Sequence, residues 1–115
     1  DSPESFLALV ELRRVGLLFL KPLVLEIIRR RGRAALPILQ QARALSQGCN
    51  QEALLWAAYR SIADLEGLDL VYDDELDRYV GTGDKEFPAL LKHSPDLAWQ
   101  SLMERLDAVL EEAGG

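Results

Sequence analysis

Cysteine, histidine and methionine each occur once in this chain, at Cys49, His93 and Met103. A single cysteine excludes an internal disulfide and points to a reducing, cytoplasmic compartment. One cysteine and one histidine do not supply the usual ligand set of a zinc site. Nucleophilic catalysis needs a nucleophile, a base and an orienting group within reach of one another. His93 is expected at the end of a short helix, facing the last carbonyls. Cys49 sits in a turn after Gly48 with no basic neighbour to lower its pKa. No catalytic residue, cofactor or metal is therefore expected, and the chain reads as non-enzymatic.

Other absences narrow the field further. Gly81-Thr82-Gly83 is followed by Asp84-Lys85, not by the GK[ST] of a phosphate loop. Glu11, Arg13, Arg14, Lys21, Pro22 and Glu26 interrupt every apolar window of spanning length, so no transmembrane segment is expected. Peripheral membrane contact remains compatible, because Leu- and Phe-rich turns end in an arginine cluster. There is no overall basic excess: 13 Lys and Arg stand against 19 Asp and Glu, a net charge of −6. A nucleic-acid-binding domain is expected to be basic, which makes nucleic acid an unlikely partner. No signal or targeting segment is read, and a chain beginning at Asp1 is compatible with a domain excised from a longer protein.

What remains is hydrophobic and unevenly charged. Of the 115 residues, 49% are hydrophobic and 28% charged, enough apolar content for one folded domain. Aromatics make up only 7%, so Leu and Ala must fill the core, a composition suited to helices packed on helices. Residues 1–60 carry a net charge of +4 and residues 61–115 a net charge of −10. The two halves either fold against each other within one molecule or attract between molecules.

The stretch FLALVELRRVGLLFLKPLVLEIIRRRGR, residues 6–33, organises the reading. On a helical wheel, residues 4–21 are apolar nearly all round, which suits a central or interfacial helix. Phe6, Val10, Leu17, Leu20, Leu23 and Ile27 form the candidate hydrophobic contact surface. Arg13 projects from the apolar side and needs an acidic partner. Lys21-Pro22 breaks or kinks this helix, or Pro22 opens a second one ending at Arg31. Gly32 stops it, and Arg29, Arg30 and Arg31 complement the end of the helix dipole. With Arg33 they form a basic cluster able to grip carboxylates or phosphates.

The following segments continue in helical period. Residues 33–47 have Pro37 in the first turn, and Gly48 ends them. Asn50 is read as the cap of a helix from Gln51 to Glu66, stopped by Gly67. On it, Arg60 and Asp64 are spaced to pair. In residues 68–83, Asp73 is read as a cap and Asp74 to Val80 as a short helix. The acids Asp69, Asp73, Asp74, Glu75 and Asp77 form a candidate acidic contact surface. As a calcium loop starting at Asp73 they fail, because Arg78 falls where glycine is used. Another short helix runs to His93. Ser94-Pro95 opens the last helix, 95–113, whose Trp99, Leu102, Met103, Leu106, Val109, Leu110 and Ala113 lie opposite Gln100, Glu104, Asp107 and Glu111.

These observations predict an all-α compact bundle of six to seven helices. The first helix, about 4–20, is expected at its centre, with the last packed along it. The expected function is a protein-interaction or assembly module that self-associates through the Leu-rich helices 6–28, or binds an acidic protein partner. Alternatives are a helical module of a nucleic-acid or transcription complex using Arg29–Arg33 on phosphates, and a small-ligand site near Arg13, Trp56 and Tyr59.

Overall fold

The computed structural model describes residues 3–12, 17–46, 48–75, 77–82, 84 and 86–114. Helix α1 spans Pro3–Leu12 and α2 Leu17–Arg31. A 3-10 turn, Gly32–Ala34, leads into α3, Ala35–Leu45, and then α4, Cys49–Glu66. A hairpin of β1, Leu70–Asp73, and β2, Arg78–Gly81, precedes α5, Glu86–His93, and α6, Pro95–Gly114. The chain is mostly helical and compact, with a Cα radius of gyration of 13.3 Å. That matches the roughly 13 Å expected for a close-packed domain of this length.

The axis of the fold is α4, not the first helix as its sequence suggests. Leu54 through Tyr59 are all buried, as are Ser61, Ile62 and Ala63. Ala57 and Ala58 have no exposed surface, and small side chains here allow neighbouring backbones to come close. Helix α2 lies along one side of α4 and α6 along another, while α1 packs on α3. The last helix buries Ala98, Trp99, Leu102, Met103 and Leu106, and leaves Gln100, Glu104 and Glu111 in solvent. Its amphipathic stripe faces α4 and α5 rather than α1, a second correction to the expected packing.

Local chemistry explains the boundaries. Pro22 does not start a helix but lies inside α2. The bond it forfeits is to the carbonyl of Leu18, in the first turn, and its ring is exposed, so the helix accommodates it. Gly32, at φ +58°, ends α2 in a conformation that costs other residues a Cβ clash. Gly48, not Asn50, stands at the start of α4, which opens at Cys49 without a side-chain cap. At its other end Gly67 is left-handed, at φ +77°. There Leu68 N–H donates to Ala63 O at 2.9 Å and Gly67 N–H to Asp64 O at 3.2 Å, the paired bonds of a Schellman stop.

Side chains tie the helices together. Lys21 on α2 pairs with Asp64 on α4 at 2.6 Å, so Asp64 serves a tertiary contact and not the expected bond to Arg60. Arg60 instead lies over the Tyr79 ring, 5.2 Å from its centre. Buried Ser61 is satisfied by donating to the Ala57 carbonyl at 2.7 Å, one turn back. Arg43 on α3 covers the face of Trp99 at 5.6 Å and pairs with Asp96. The Trp99 indole N–H completes this clamp by donating to Gln40 Oε1 at 3.1 Å.

The chain is not all-α. Residues 70–81, read from sequence as a cap and a short helix, form an antiparallel hairpin. Leu70 lies opposite Gly81, Val71 opposite Val80, Tyr72 opposite Tyr79 and Asp73 opposite Arg78. Val and Tyr are strand-formers, and two cross-strand pairs of them outweigh the helical start signal. The capping instinct of Asp73 is real but is spent on a turn: its Oδ1 accepts Glu75 N–H at 2.9 Å. Asp77 closes the turn at φ +54°, a region Asp enters more readily than most residues.

Candidate functional site

The expected hydrophobic surface is largely core. Phe6, Leu20 and Ile27 are buried within the chain, where α3 and α4 cover α1 and α2, and Leu23 is partly buried against the same core. The side chains of Val10 and Leu17, and the whole of Arg13, lie outside the described residues. The apolar face that seemed to need a partner is thus met, over the described positions, by the chain's own helices.

The basic cluster is at the surface. Arg29, Arg30, Arg31 and Arg33 are all exposed at the junction of α2 with the 3-10 turn. Arg30 pairs with Glu26 at 2.9 Å, one turn back. Arg33 reaches α6, pairing with Asp107 at 2.7 Å and lying 4.0 Å from Glu111. The hydrogen bond and charge of Asp107 hold the Arg33 guanidinium above its ordinary pKa. Arg29 and Arg31 have no ion-pair partner among the described residues. The basic and acidic halves therefore meet within the molecule at Lys21, Arg43 and Arg33, and Arg29 and Arg31 are left at the Arg33 corner without an ion pair among the described residues.

The acidic run surrounds the hairpin. Asp69, Asp74, Glu75 and Asp77 are exposed and Asp73 is half-buried. Tyr72 O–H donates to the Asp77 carboxylate across the turn. Among the described residues, no three acidic, cysteine or histidine side chains gather as a metal ion requires. Nor is any described helix long and apolar enough to cross a membrane.

The anchor of the hairpin, which sequence reading missed, is a polar cluster around the buried Tyr59 hydroxyl, with Asp84 and Arg105 partly exposed. Tyr59, fully buried on α4, accepts Gly81 N–H at 2.9 Å and donates to Asp84 Oδ2 at 3.2 Å. Its ring stacks on Phe87, centroids 4.6 Å apart, and meets Trp56 edge-on at 5.7 Å. Arg105 of α6 grips Glu66 through two nitrogens and lies 3.5 Å from Asp84. The other Asp84 oxygen accepts Phe87 N–H at 3.4 Å, at the start of α5. Four elements thus converge on one tyrosine and one aspartate.

The protonation states suit holding rather than reacting. Burial pushes the Tyr59 hydroxyl up to about 12; the Gly81 N–H opposes this and the Asp84 charge adds to it. Tyr59 therefore stays protonated at neutral pH, as a donor to Asp84. Burial works to lower the Arg105 pKa, but the bond and charge of Glu66, with Asp84 and Tyr59, raise it on balance. Beside this cluster opens a cleft of about 450 Å³ lined by Leu68, Glu86, Phe87, Leu90 and Ser101. Its one cation, among the described residues, is Arg105, already neutralised by Glu66 and Asp84.

The expected ligand site near Trp56 and Tyr59 divides. Trp56 borders a separate cleft of about 290 Å³ with Leu55, Pro88, Leu91 and Lys92, whereas Tyr59 faces the hairpin. The sequence signal for the hairpin anchor was faint: Val71-Tyr72 and Tyr79-Val80 flank a polar turn, and Gly81 follows them. Comparison of the chain with protein-family models, with curated proteins and with solved structures finds no match.

Proposed function

We propose that this chain is a non-enzymatic protein-interaction and assembly module, in which the arginine corner of one copy attracts the acidic hairpin of another. The observation that carries the reading is the free, exposed pair Arg29 and Arg31, set apart in the chain from an equally exposed group of acids on the hairpin turn. A contact between two different surfaces is head-to-tail and extends into chains unless it closes as a ring. Opposite potentials steer the encounter and set its register, and apolar contact supplies affinity. Exposed Val71, Tyr72 and Tyr79 supply that contact on the hairpin side.

The nucleic-acid alternative draws less support from the same corner. Glu26 neutralises Arg30, and Asp107 and Glu111 neutralise Arg33, so acids stand where phosphates would approach. Phosphate grip by Arg works through unpaired forks.

The test is molar mass by light scattering over a range of concentration and salt. Species heavier than one chain, dissolving as salt rises from about 0.05 to 0.5 M, support charge-led assembly. A single-chain mass at every concentration in low salt removes self-association. Salt-resistant dimers would return the interface to an apolar surface.

A further inference from the structure

The hairpin has one closed edge and one open edge, and the phase of its ladder shows which is which. Thr82 N–H donates to Asp69 O at 3.0 Å, one step beyond the last strand pair. Hydrogen-bonded and non-bonded pairs alternate in an antiparallel ladder. Val71 with Val80 and Asp73 with Arg78 are therefore the bonded pairs. The N–H and C=O groups of Leu70 and Tyr72 then point away from β2. No bond to them is made among the described residues. On the other edge, Gly81 has both groups engaged: its N–H on Tyr59 and its C=O on Asp84 N–H at 2.8 Å.

The side chains of β1 fit the same purpose. Val71 is 56% exposed and Tyr72 44% exposed, unusual for large apolar side chains on adjacent strand positions. Tyr72 is held in place against Tyr79, ring centroids 5.3 Å apart and nearly perpendicular. Asp69, Asp74 and Glu75 flank them in solvent. An edge strand bordered by charge is a common guard against pairing with its own kind. If two copies of β1 met antiparallel along this edge with Leu70 opposite Tyr72, so that the outward groups pair, Asp69 of each would face Asp73 of the other, and like charges repel. A strand carrying Lys or Arg meets the opposite situation.

We propose that the open edge of β1 takes up an extended, basic segment of a partner protein as a third strand of the sheet. Backbone bonds to Leu70 and Tyr72 hold the segment. Val71 and Tyr72 lie on opposite faces of the sheet, so one contacts the segment's apolar side chains and the other the aliphatic stems of its Lys or Arg, while Asp69, Asp74 and Glu75 select its cations. This goes beyond the assembly reading, because Arg29 and Arg31 belong to a helix and cannot supply a strand. Loss of self-association in light scattering leaves strand addition standing, and failure of strand addition leaves the molar-mass result untouched.

The experiment titrates the whole chain, at a concentration where it is monodisperse, with an eight-residue peptide of alternating Lys and Val. Binding is followed by amide chemical shifts and hydrogen exchange. The expected result is protection of the Leu70 and Tyr72 amides. Methylating alternate peptide nitrogens, which removes ladder donors and keeps every charge, is expected to weaken binding about tenfold or more. The variant D69K/D74K changes two exposed side chains and is expected to weaken binding by a similar factor, with the circular dichroism of the fold unchanged. Equal binding of methylated and unmethylated peptide would overturn the proposal in favour of charge attraction alone. So would the absence of binding in low salt, or protection confined to amides outside β1.

Discussion

Replacing Tyr59 with Phe removes one oxygen atom and keeps the ring that stacks on Phe87 and meets Trp56. That oxygen accepts the Gly81 N–H and donates to Asp84 in a site where Tyr59 has no exposed surface. Deleting it leaves a buried amide without its acceptor, a cost of about 1–3 kcal/mol. Asp84 retains Arg105 and the Phe87 N–H, so its loss is smaller. We expect Y59F to lose about 2 kcal/mol in urea denaturation. At roughly 2.1 cal/mol/K of unfolding entropy per residue, this corresponds to a fall in Tm of about 8 °C. Y72F makes the comparison sharp, since it removes an exposed hydroxyl and should stay within about 0.5 kcal/mol of the parent. Hydrogen exchange should also quicken at Val80 and Gly81 in Y59F before it changes in α4. A Y59F chain as stable as Y72F would refute the claim that Tyr59 pins the hairpin to the helices.

Other outcomes follow from the same geometry. Tyr59 has its pKa raised from 10.0 to about 12 in the folded chain, so the folded state holds its proton more tightly. Its contribution to stability is whole below pH 10 and is lost as pH rises towards 12. In an absorbance titration of tyrosinate, the parent minus Y59F difference should have its midpoint near the upper value; a midpoint at 10 would contradict the burial argument. Gly67→Ala places a Cβ on a residue at φ +77° and should cost about 1 kcal/mol in chemical denaturation. Arg105→Ala strips the partner from Glu66 and Asp84, and should cost about 1–3 kcal/mol in chemical denaturation. Leu39→Ala, at a position with no exposed surface, should cost about 2–5 kcal/mol.

Much of the helical framework was legible because its signals are local. Gly32 and Gly67 mark true stops, Pro37 and Pro95 sit in first turns, and the stripe of α6 is buried from Trp99 to Leu106, whereas Val109 and Leu110 are half-buried and Ala113 is exposed. The hairpin was not legible because Asp73 sends the same signal to a helix start and to an Asx turn. Only the pairing of Tyr72 with Tyr79 across the turn decides between them, and that pairing depends on α4 and Tyr59 beneath it. The basic and acidic surfaces were visible as composition. Which arginines remain free was not, since Arg33 finds Asp107 seventy-four residues further along the chain. The Leu-rich stretch misled for a related reason. A helix apolar on most sides reads alike whether its cover is a second molecule or, as for Phe6, Leu20 and Ile27, the rest of the same chain.

The central claim is that the arginine corner of one molecule meets the acidic hairpin of the next. It is tested most directly by two charge-reversed chains, R29E/R31E and D74K/E75K. Both alter exposed side chains and should fold as the parent does. Each alone carries like charge on both surfaces and is expected to scatter light as a single chain in low salt. Mixed in equal amounts, they offer opposite charges again and should recover the parent's larger species. A mixture that remains at single-chain mass, while the parent associates, would contradict the account.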